Sequence, residues 1–584
     1  MLNDLLIKLW NHLSNRRKKQ FIFLIFLIFL SSLSEIFAIG SILPFISVIT
    51  KPEIVFQQTW LHDYFIHFGY TEPKTLVLPF TLLFIIAVVL SGSIRLYLLW
   101  YSTKFSFETG NDFSINIYNR TLYQPYQVHI SRNSSEVVSG ILIKAKRMIG
   151  TVILPVIHII TTILMTAIIF LFLVQLDPLV VGLGLLSFGG MYSLLAFFTR
   201  KKLLANGHIE ADEHSRVLKH LQEGIGGVRE ILLDGNQKFY TELFRESDQK
   251  LRIASALTTY TGASPRYVFE TLALTAVAFL SYYASLNSNG IESSLPLLGS
   301  IVLGVQRLMP VVQQGFQSWT SLRSSMPIIA DVLSLLDQPL PAYSYLPRPS
   351  PIPFHESIRI ADLSFQYTTS ASINLSQVNL EIKKGERVGI IGETGSGKST
   401  LIDVLMGLLA PNQGAIYVDG VKIDSENLRS WQASIANVPQ SIYISDTTIA
   451  ENIAFGITEN QIDMEKVKLA ASNAQISDYI ESLPKGYLAN AGEKGVRLSG
   501  GQRQRLGIAR ALYKEASVIF FDEATSALDS ETEKAVIDSI QALSKDLTII
   551  MIAHRLSTIQ NCDKIIELKN GKVNRVGSYR EIFV

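Results

Sequence analysis

Residues 388–406 read VGIIGETGSGKSTLIDVLM, and this stretch decides the fold of the chain's C-terminal part. An apolar run ends at a glycine, a glycine-rich loop follows, and an amphipathic run opens at Lys398, the order of a strand, a loop and a helix. Gly392, Gly395 and Gly397 let backbone N–H groups converge on phosphate oxygens, with Glu393, Thr394, Ser396 and Thr400 completing the loop and first turn. Lys398 is placed to reach the terminal phosphates, and the Ser399 hydroxyl to ligate Mg²⁺ at the positive end of the helix.

Working outward, residues 517–529 read SVIFFDEATSALD, an apolar strand that ends in two carboxylates. Such an ending is costly unless it serves a cation: Asp522 is positioned for Mg²⁺, and Glu523 for polarising an attacking water. An Asp-Glu pair capping a helix is the plainer alternative. Between the two stretches lies RLSGGQRQR (497–505), in which Ser499, Gly500, Gly501 and Gln502 open a basic helix. This is either an ordinary capped helix or a second anion site. One chain already has its own phosphate loop, so a second anion site implies a second nucleotide and a partner chain.

The runs RVGIIG, AIYVDG, SVIFF and LTIIMIAH alternate with helical patterns, which predicts a parallel sheet with crossover helices. Upstream, DQPLPAYSYLPRPSPIPF (337–354) favours extended backbone and reads as a linker. The expected division is therefore 1–330, a linker at 331–356, and a soluble α/β domain at 357–584.

The first part has another character. Mean hydropathy over the 584 residues is +0.26. Charged residues are 17%, against about 25% in ordinary soluble domains. A net charge of +2 gives no nucleic-acid footprint, and the single cysteine, Cys562, excludes an internal disulfide. Apolar stretches at about 20–48, 75–101, 151–174, 179–198, 267–286 and 295–316 predict six membrane spans. A signal peptide would end the first stretch sooner and at a small-residue cleavage site. Arg16, Arg17, Lys18 and Lys19 precede the first span, and Arg200, Lys201 and Lys202 follow the fourth, so both flanks are expected in the cytoplasm. The long connections at 102–150 and 199–266 then lie inside, as helices running on from the membrane.

From about 357 to 582 the sequence resembles the nucleotide-binding domain of the ATP-binding cassette family, with the motifs in the family's order. The resemblance implies ATP and Mg²⁺ as ligands. Tyr367 in LSFQY matches the aromatic that stacks on adenine. Gln440 in NVPQ matches the loop glutamine that senses the γ-phosphate and joins Ser399 and Asp522 around Mg²⁺, and His554 in MIAHR matches the switch histidine. Glu493 in AGEKG and the stretch Ser526 to Asp529 match further family loops. By the same resemblance Glu523, His554 and Gln440 are catalytic, and two identical chains would form two sites, each from one chain's phosphate loop and the other's LSGGQ.

Six spans followed by such a domain resemble the exporter branch of the family, a half-transporter that works as a homodimer in a cell membrane, in bacteria the inner one. In that frame LYQPYQVHISRNSSE (122–136) and LQEGIGGVREILLDGN (221–236) are either docking segments or plain helix turns. Glu35, Arg95, Glu270 and Arg307 are ionisable groups in or near spans, serving either as mutual ion pairs or as ligands for an anionic group. Trp60, Leu61, Tyr64, Phe65 and Phe68 share one helical face, which could lie on the membrane or cap the spans. Together these features are similar to the exporters that flip lipid-linked oligosaccharides. A general lipid, drug or peptide exporter is the alternative, and a non-transport cassette ATPase is disfavoured by the spans.

Overall fold

The computed structural model describes residues 2–50, 52–56, 67, 72–174, 178–286, 309–367, 374–492, 495–522, 546–552, 559–560 and 562–583. They divide into two units, one of residues 1–124 and 131–341, the other of residues 125–130 and 342–584.

The first unit is helical. α1 (Leu2–His12) and α2 (Asn15–Gly40) lead into α3 (Val77–Leu122), α4 (Leu154–Val174), α5 (Pro178–Gly226), α6 (Val228–Asp234), α7 (Gln237–Leu286) and α8 (Met326–Leu336). Its core gathers Leu24 and Ile28 of α2, Phe105, Phe113 and Ile117 of α3, Met148 and Val152, and Ile329 and Val332 of α8. Among the described residues three helices are long and apolar enough to cross a membrane: Asn15–Ala38, Pro73–Leu122 and Ser135–Leu171. They carry the first three expected spans. The fourth and fifth lie at the start of α5 and the end of α7, helices that run on well past them. Most of the sixth, 295–308, and the Trp60 face lie outside the described residues.

α5 and α7 pack along each other, and Gly207 of α5 meets the chain at Ser324 so closely that a Cβ there would lie 1.8 Å from the Ser324 carbonyl oxygen. Nearby on α5, Glu210 is buried, pairs with Arg147 and accepts from the Thr258 hydroxyl at 3.3 Å. One turn further, burial pushes the His214 imidazole down to about 4, with Arg147, Lys144 and Arg252 adding to the effect and Asp248 opposing it.

The helical chain outlasts the expected linker boundary at 330, because α8 continues to Leu336. Pro327 does not stop it: proline in the first turn forfeits no intrahelical hydrogen bond.

The second unit holds two sheets. β1 (Ser357–Phe365), β2 (Leu375–Lys383), β4 (Gln413–Val418) and β5 (Val421–Lys422) form an antiparallel sheet in the order β2-β1-β4-β5. β3 (Arg387–Ile391), β6 (Ile435–Val438), β7 (Val518–Asp522), β8 (Thr548–Ile552), β9 (Lys564–Lys569) and β10 (Lys572–Gly577) form the other, in the order β10-β9-β3-β8-β7-β6. Here β9 through β6 are parallel and β10 is antiparallel to β9. RVGIIG, SVIFF and LTIIMI take the expected places in the parallel sheet. AIYVDG does not. It is β4 of the antiparallel sheet, because Asp419 and Gly420 both have positive φ (47° and 79°) and turn the chain directly back into β5. An Asp-Gly hairpin of that kind demands an antiparallel partner. Short helices, among them Met464–Asn473 and α10 (Gly500–Tyr513), pack on a separate core around Ile453, Val467, Ile480 and Ile508.

Candidate nucleotide site

β3 is buried between β9 and β8, delivers the chain to Gly392, and α9 (Lys398–Leu405) begins six residues later. The loop between them is shaped by its glycines. Gly392, Gly395 and Gly397 have φ of 148°, 84° and 101°. A Cβ on Gly392 would lie 2.2 Å from the Leu568 carbonyl oxygen, and one on Gly397 would lie 2.8 Å from that of Asn374. At Gly395 there is open space, so only the backbone conformation calls for glycine there.

Lys398 is buried and its ammonium curls over the loop, donating to the Gly392 and Glu393 carbonyls at 2.8 and 2.9 Å. Ser396 is also buried, and its hydroxyl has no hydrogen-bond partner among the described residues. Glu393, Thr394, Gly395 and Ser399 are exposed around them, with Thr400 half-buried. A cradle of backbone N–H groups at a helix N-terminus, a cation inside it and an unpaired hydroxyl suit a polyphosphate.

Asp522 is the last residue of β7, and Gln440 follows β6 by two residues at the same end of neighbouring parallel strands, where Val438 pairs with Phe521. Ser399, Gln440 and Asp522 offer a hydroxyl, an amide oxygen and a carboxylate, the hard oxygen donors that suit Mg²⁺. Burial, with the negative charge of Asp522 adding to it, pushes the Asp403 carboxyl of α9 up to about 6. Asp403 was not among the residues singled out from sequence; its only signal was a carboxylate on an otherwise apolar helix face. Tyr367 is half-buried and packs edge-on against Phe365 at 4.9 Å, while its backbone N–H donates to Asn374 Oδ1. Tyr126 lies in the short segment 125–130 that belongs to this unit. Burial raises its phenol, with Asp403 and Tyr367 contributing.

Ser499 caps α10. Its hydroxyl accepts from the Gln502 N–H at 3.2 Å, and the Gln502 side chain accepts from the Ser499 N–H at 2.8 Å. The reciprocal box leaves the Ser499 hydroxyl proton and the N–H groups of Gly500 and Gly501 directed outward from the helix start. The opposite end of α10 is held by Arg510, which no sequence motif marks. Its guanidinium donates to the Asn452 and Tyr443 carbonyls, both at 2.9 Å, and stacks on Phe455 at 4.6 Å. Glu523 and His554, with Glu493 and the stretch Ser526 to Asp529, lie outside the described residues.

In the first unit, the intramembrane pair forms: Arg95 donates to the buried Glu35 carboxylate at 3.0 Å, with the Ser91 hydroxyl 3.4 Å from the same oxygen. The Arg95 side chain is 54% exposed against 7% for Glu35, so the guanidinium keeps an open side. Glu270 is exposed and makes no ion pair among the described residues, and Arg307 lies outside them.

Residues 375–526 match the sequence model of the ABC transporter family. Over 98% of its length the chain superposes on 96% of a solved bacterial Atm1-family ABC exporter with ATP bound, at a TM-score of 0.76 and 22% identity. The fold is that of an ABC exporter. Apolar helices long enough to cross a membrane precede residues 375–526, as in a multi-pass membrane protein. The chain is 32% identical over 366 residues to an ATP-dependent lipid A-core flippase of Cupriavidus metallidurans. It is 28% identical over 477 residues to one of Saccharophagus degradans. The first match covers 62% of this chain and 61% of the relative; the second covers 80% and 78%.

Proposed function

We propose that two copies of the chain form an ATP-driven exporter that moves an amphipathic, anionic lipid-linked saccharide across the bacterial inner membrane, with the cassette domains in the cytoplasm. The observation that carries it is the seat of Lys398 inside a loop whose glycines admit no side chain at two positions. That loop shares one unit with a separate anion-ready helix start at Ser499.

Bound ATP supplies the free energy, and Mg²⁺ offsets charge on its phosphates. Lys398 would release the Gly392 and Glu393 carbonyls and turn to the terminal phosphates, while backbone N–H groups from Gly395 to Ser399 hold the oxygens. Ser399, Gln440 and Asp522 would hold the metal, and Tyr367 the adenine. Glu523 is assigned the attacking water and His554 the γ-phosphate. Ser499, Gly500, Gly501 and Gln502 would close on the nucleotide of the second copy. The exposed apolar tip of α5 to α7, with Ile225, Val228, Leu232 and Leu233, supports a docking role for the second cytoplasmic segment. Relatives named lipid A-core flippases support a lipid cargo, and the open side of Arg95 an anionic one. Arg307 and Glu270 remain assigned to the cargo path with Glu35.

The purified chain in liposomes tests this. Mg²⁺-dependent ATP hydrolysis that drives a fluorescent polyprenyl-linked oligosaccharide between leaflets is expected. Hydrolysis stimulated by unrelated lipids or drugs, with that saccharide stationary, would favour a general exporter. Failure to bind ATP would end the proposal.

A further inference from the structure

At the membrane-facing start of α2 a cleft of about 90 Å³ is lined by Arg16, Gln20, Trp100, Tyr101, Lys104, Phe105 and Glu108. Its two lining cations, Arg16 and Lys104, differ from their neighbour. Arg17 is buried and spends its guanidinium on Glu108, Gln20 and Asp112. Its single positive charge is shared between the two carboxylates of α3 nearest the cleft. Arg16 makes no ion pair among the described residues and is exposed. The Lys104 ammonium stands 5.0 Å above the Trp100 ring and 3.9 Å from Glu108, beyond hydrogen-bonding reach of that carboxylate. Arg16, Arg17 and Lys104 thus outnumber Glu108 and Asp112, and the cleft presents two cations on opposite helices.

Its surroundings say which anion fits. Immediately toward the apolar part of α2 and α3 the surface is exposed and carries Phe23, Phe26, Leu96 and Leu99, while Tyr97, Trp100 and Tyr101 form a tilted aromatic cluster at the boundary. Phe23 packs edge-on against Tyr101 at 5.2 Å, so the aromatic rim is continuous from one helix to the other. Aromatic residues of this kind mark the headgroup level of a bilayer, and the basic quartet places this end on the cytoplasmic side. A soluble phosphate would use the cations and leave the apolar wall unused. A lipid uses both, its phosphate between Arg16 and Lys104 and its acyl chains along Phe23, Phe26 and Leu96.

We infer that the cleft between Arg16 and Lys104 is a binding site for the headgroup of an anionic phospholipid of the cytoplasmic leaflet, separate from the cargo path.

The test uses the full chain, purified in detergent and titrated with phosphatidylglycerol, phosphatidylcholine or inorganic phosphate, and read by native mass spectrometry and thermal unfolding. Phosphatidylglycerol should bind and raise the unfolding temperature, whereas phosphatidylcholine and phosphate at equal concentration should not. The double variant R16Q/K104Q should bind phosphatidylglycerol about 30-fold more weakly, taking about 1 kcal/mol for each lost cation. R16K/K104R should bind as the wild type does. K201Q/K202Q removes the same charge at the cytoplasmic end of α5 and should leave binding unchanged. Equal affinity in R16Q/K104Q, or an equal loss in K201Q/K202Q, would overturn the site. Stabilisation by inorganic phosphate alone would overturn the lipid as its occupant.

Discussion

Arg510, in the last turn of α10, donates from Nε to the Asn452 backbone carbonyl at 2.9 Å and from a terminal nitrogen to the Asn452 side-chain oxygen at 3.3 Å. A third bond, to the Tyr443 carbonyl, ties the same guanidinium to the chain just beyond Gln440. Asn452 in turn holds Ser445 through its side-chain oxygen and amide. The loop that starts at Gln440 and the helix that starts at Ser499 are thus joined through one side chain.

Arg510→Ala should therefore lower stability by about 2 kcal/mol, since hydrogen bonds to a charged donor are lost and two carbonyls are left short of partners. Arg510→Lys should recover only part of it, because an ammonium cannot span three acceptors in one plane. Denaturant unfolding of the purified chain measures both. An Arg510→Ala chain as stable as the wild type would remove this link.

Glu523→Gln should keep nucleotide binding and nearly abolish hydrolysis, because the amide preserves the shape of the side chain but not its basicity. Binding of a fluorescent ATP analogue and phosphate release, measured on one preparation, separate the two. Turnover at the wild-type rate would remove Glu523 from the role of polarising the water.

His214 gives a pH dependence. Its imidazole is held at about 4, below its ordinary value of 6.5, so between those values the folded chain keeps it neutral where the unfolded chain is protonated. The unfolded state then binds more protons, and stability contributed at pH above 6.5 is lost as the pH falls toward 4. His214→Gln should unfold at a temperature that drops less than the wild type's over that range. Parallel curves for the two proteins would show that His214 titrates normally.

What the sequence made legible was local. The strand, glycine loop and helix around Lys398 are contiguous, so their spacing alone specifies a shape, and the cap at Ser499 needs only Gln502 three residues on. Relationships across the chain were not legible in this way. Glu35 and Arg95 are each visible as ionisable groups among apolar residues, yet only the packing of α2 on α3 shows that they meet. Arg510 looks like one more basic residue in RLSGGQRQRLGIAR until Asn452 is brought to it. The AIYVDG run alternates as any strand does, and the Asp-Gly pair that fixes its antiparallel sheet was visible but outweighed by the pattern of its neighbours.

Gly207→Ala should destabilise the helical unit by about 1–3 kcal/mol, the range for forcing a methyl into a packed contact. The obstacle is backbone, the Ser324 carbonyl oxygen 1.8 Å from where the Cβ would stand, so no side-chain rotation relieves it. Gly224→Ala, where a Cβ meets nothing within 4 Å, should be neutral or mildly stabilising and serves as the control. Thermal unfolding in detergent compares them, and equal behaviour of the two variants would deny the close approach.

The Glu35 and Arg95 pair separates a structural role from a cargo role by its unequal burial. Glu35 is buried and accepts from Arg95 at 3.0 Å, while half of the Arg95 side chain is left open. Removing Arg95 strands a buried carboxylate, a loss of about 3–5 kcal/mol if Glu35 stays ionised. Arg95→Gln should therefore lower both stability and cargo movement, which alone does not say why movement fails. The exchanged pair, Glu35→Arg with Arg95→Glu, keeps opposite charges in contact but puts the carboxylate on the open side. Stability should then recover toward the wild type while flipping of the proposed anionic substrate stays impaired and basal ATP hydrolysis continues. Full recovery of flipping in the exchanged pair would make Arg95 a purely structural partner of Glu35.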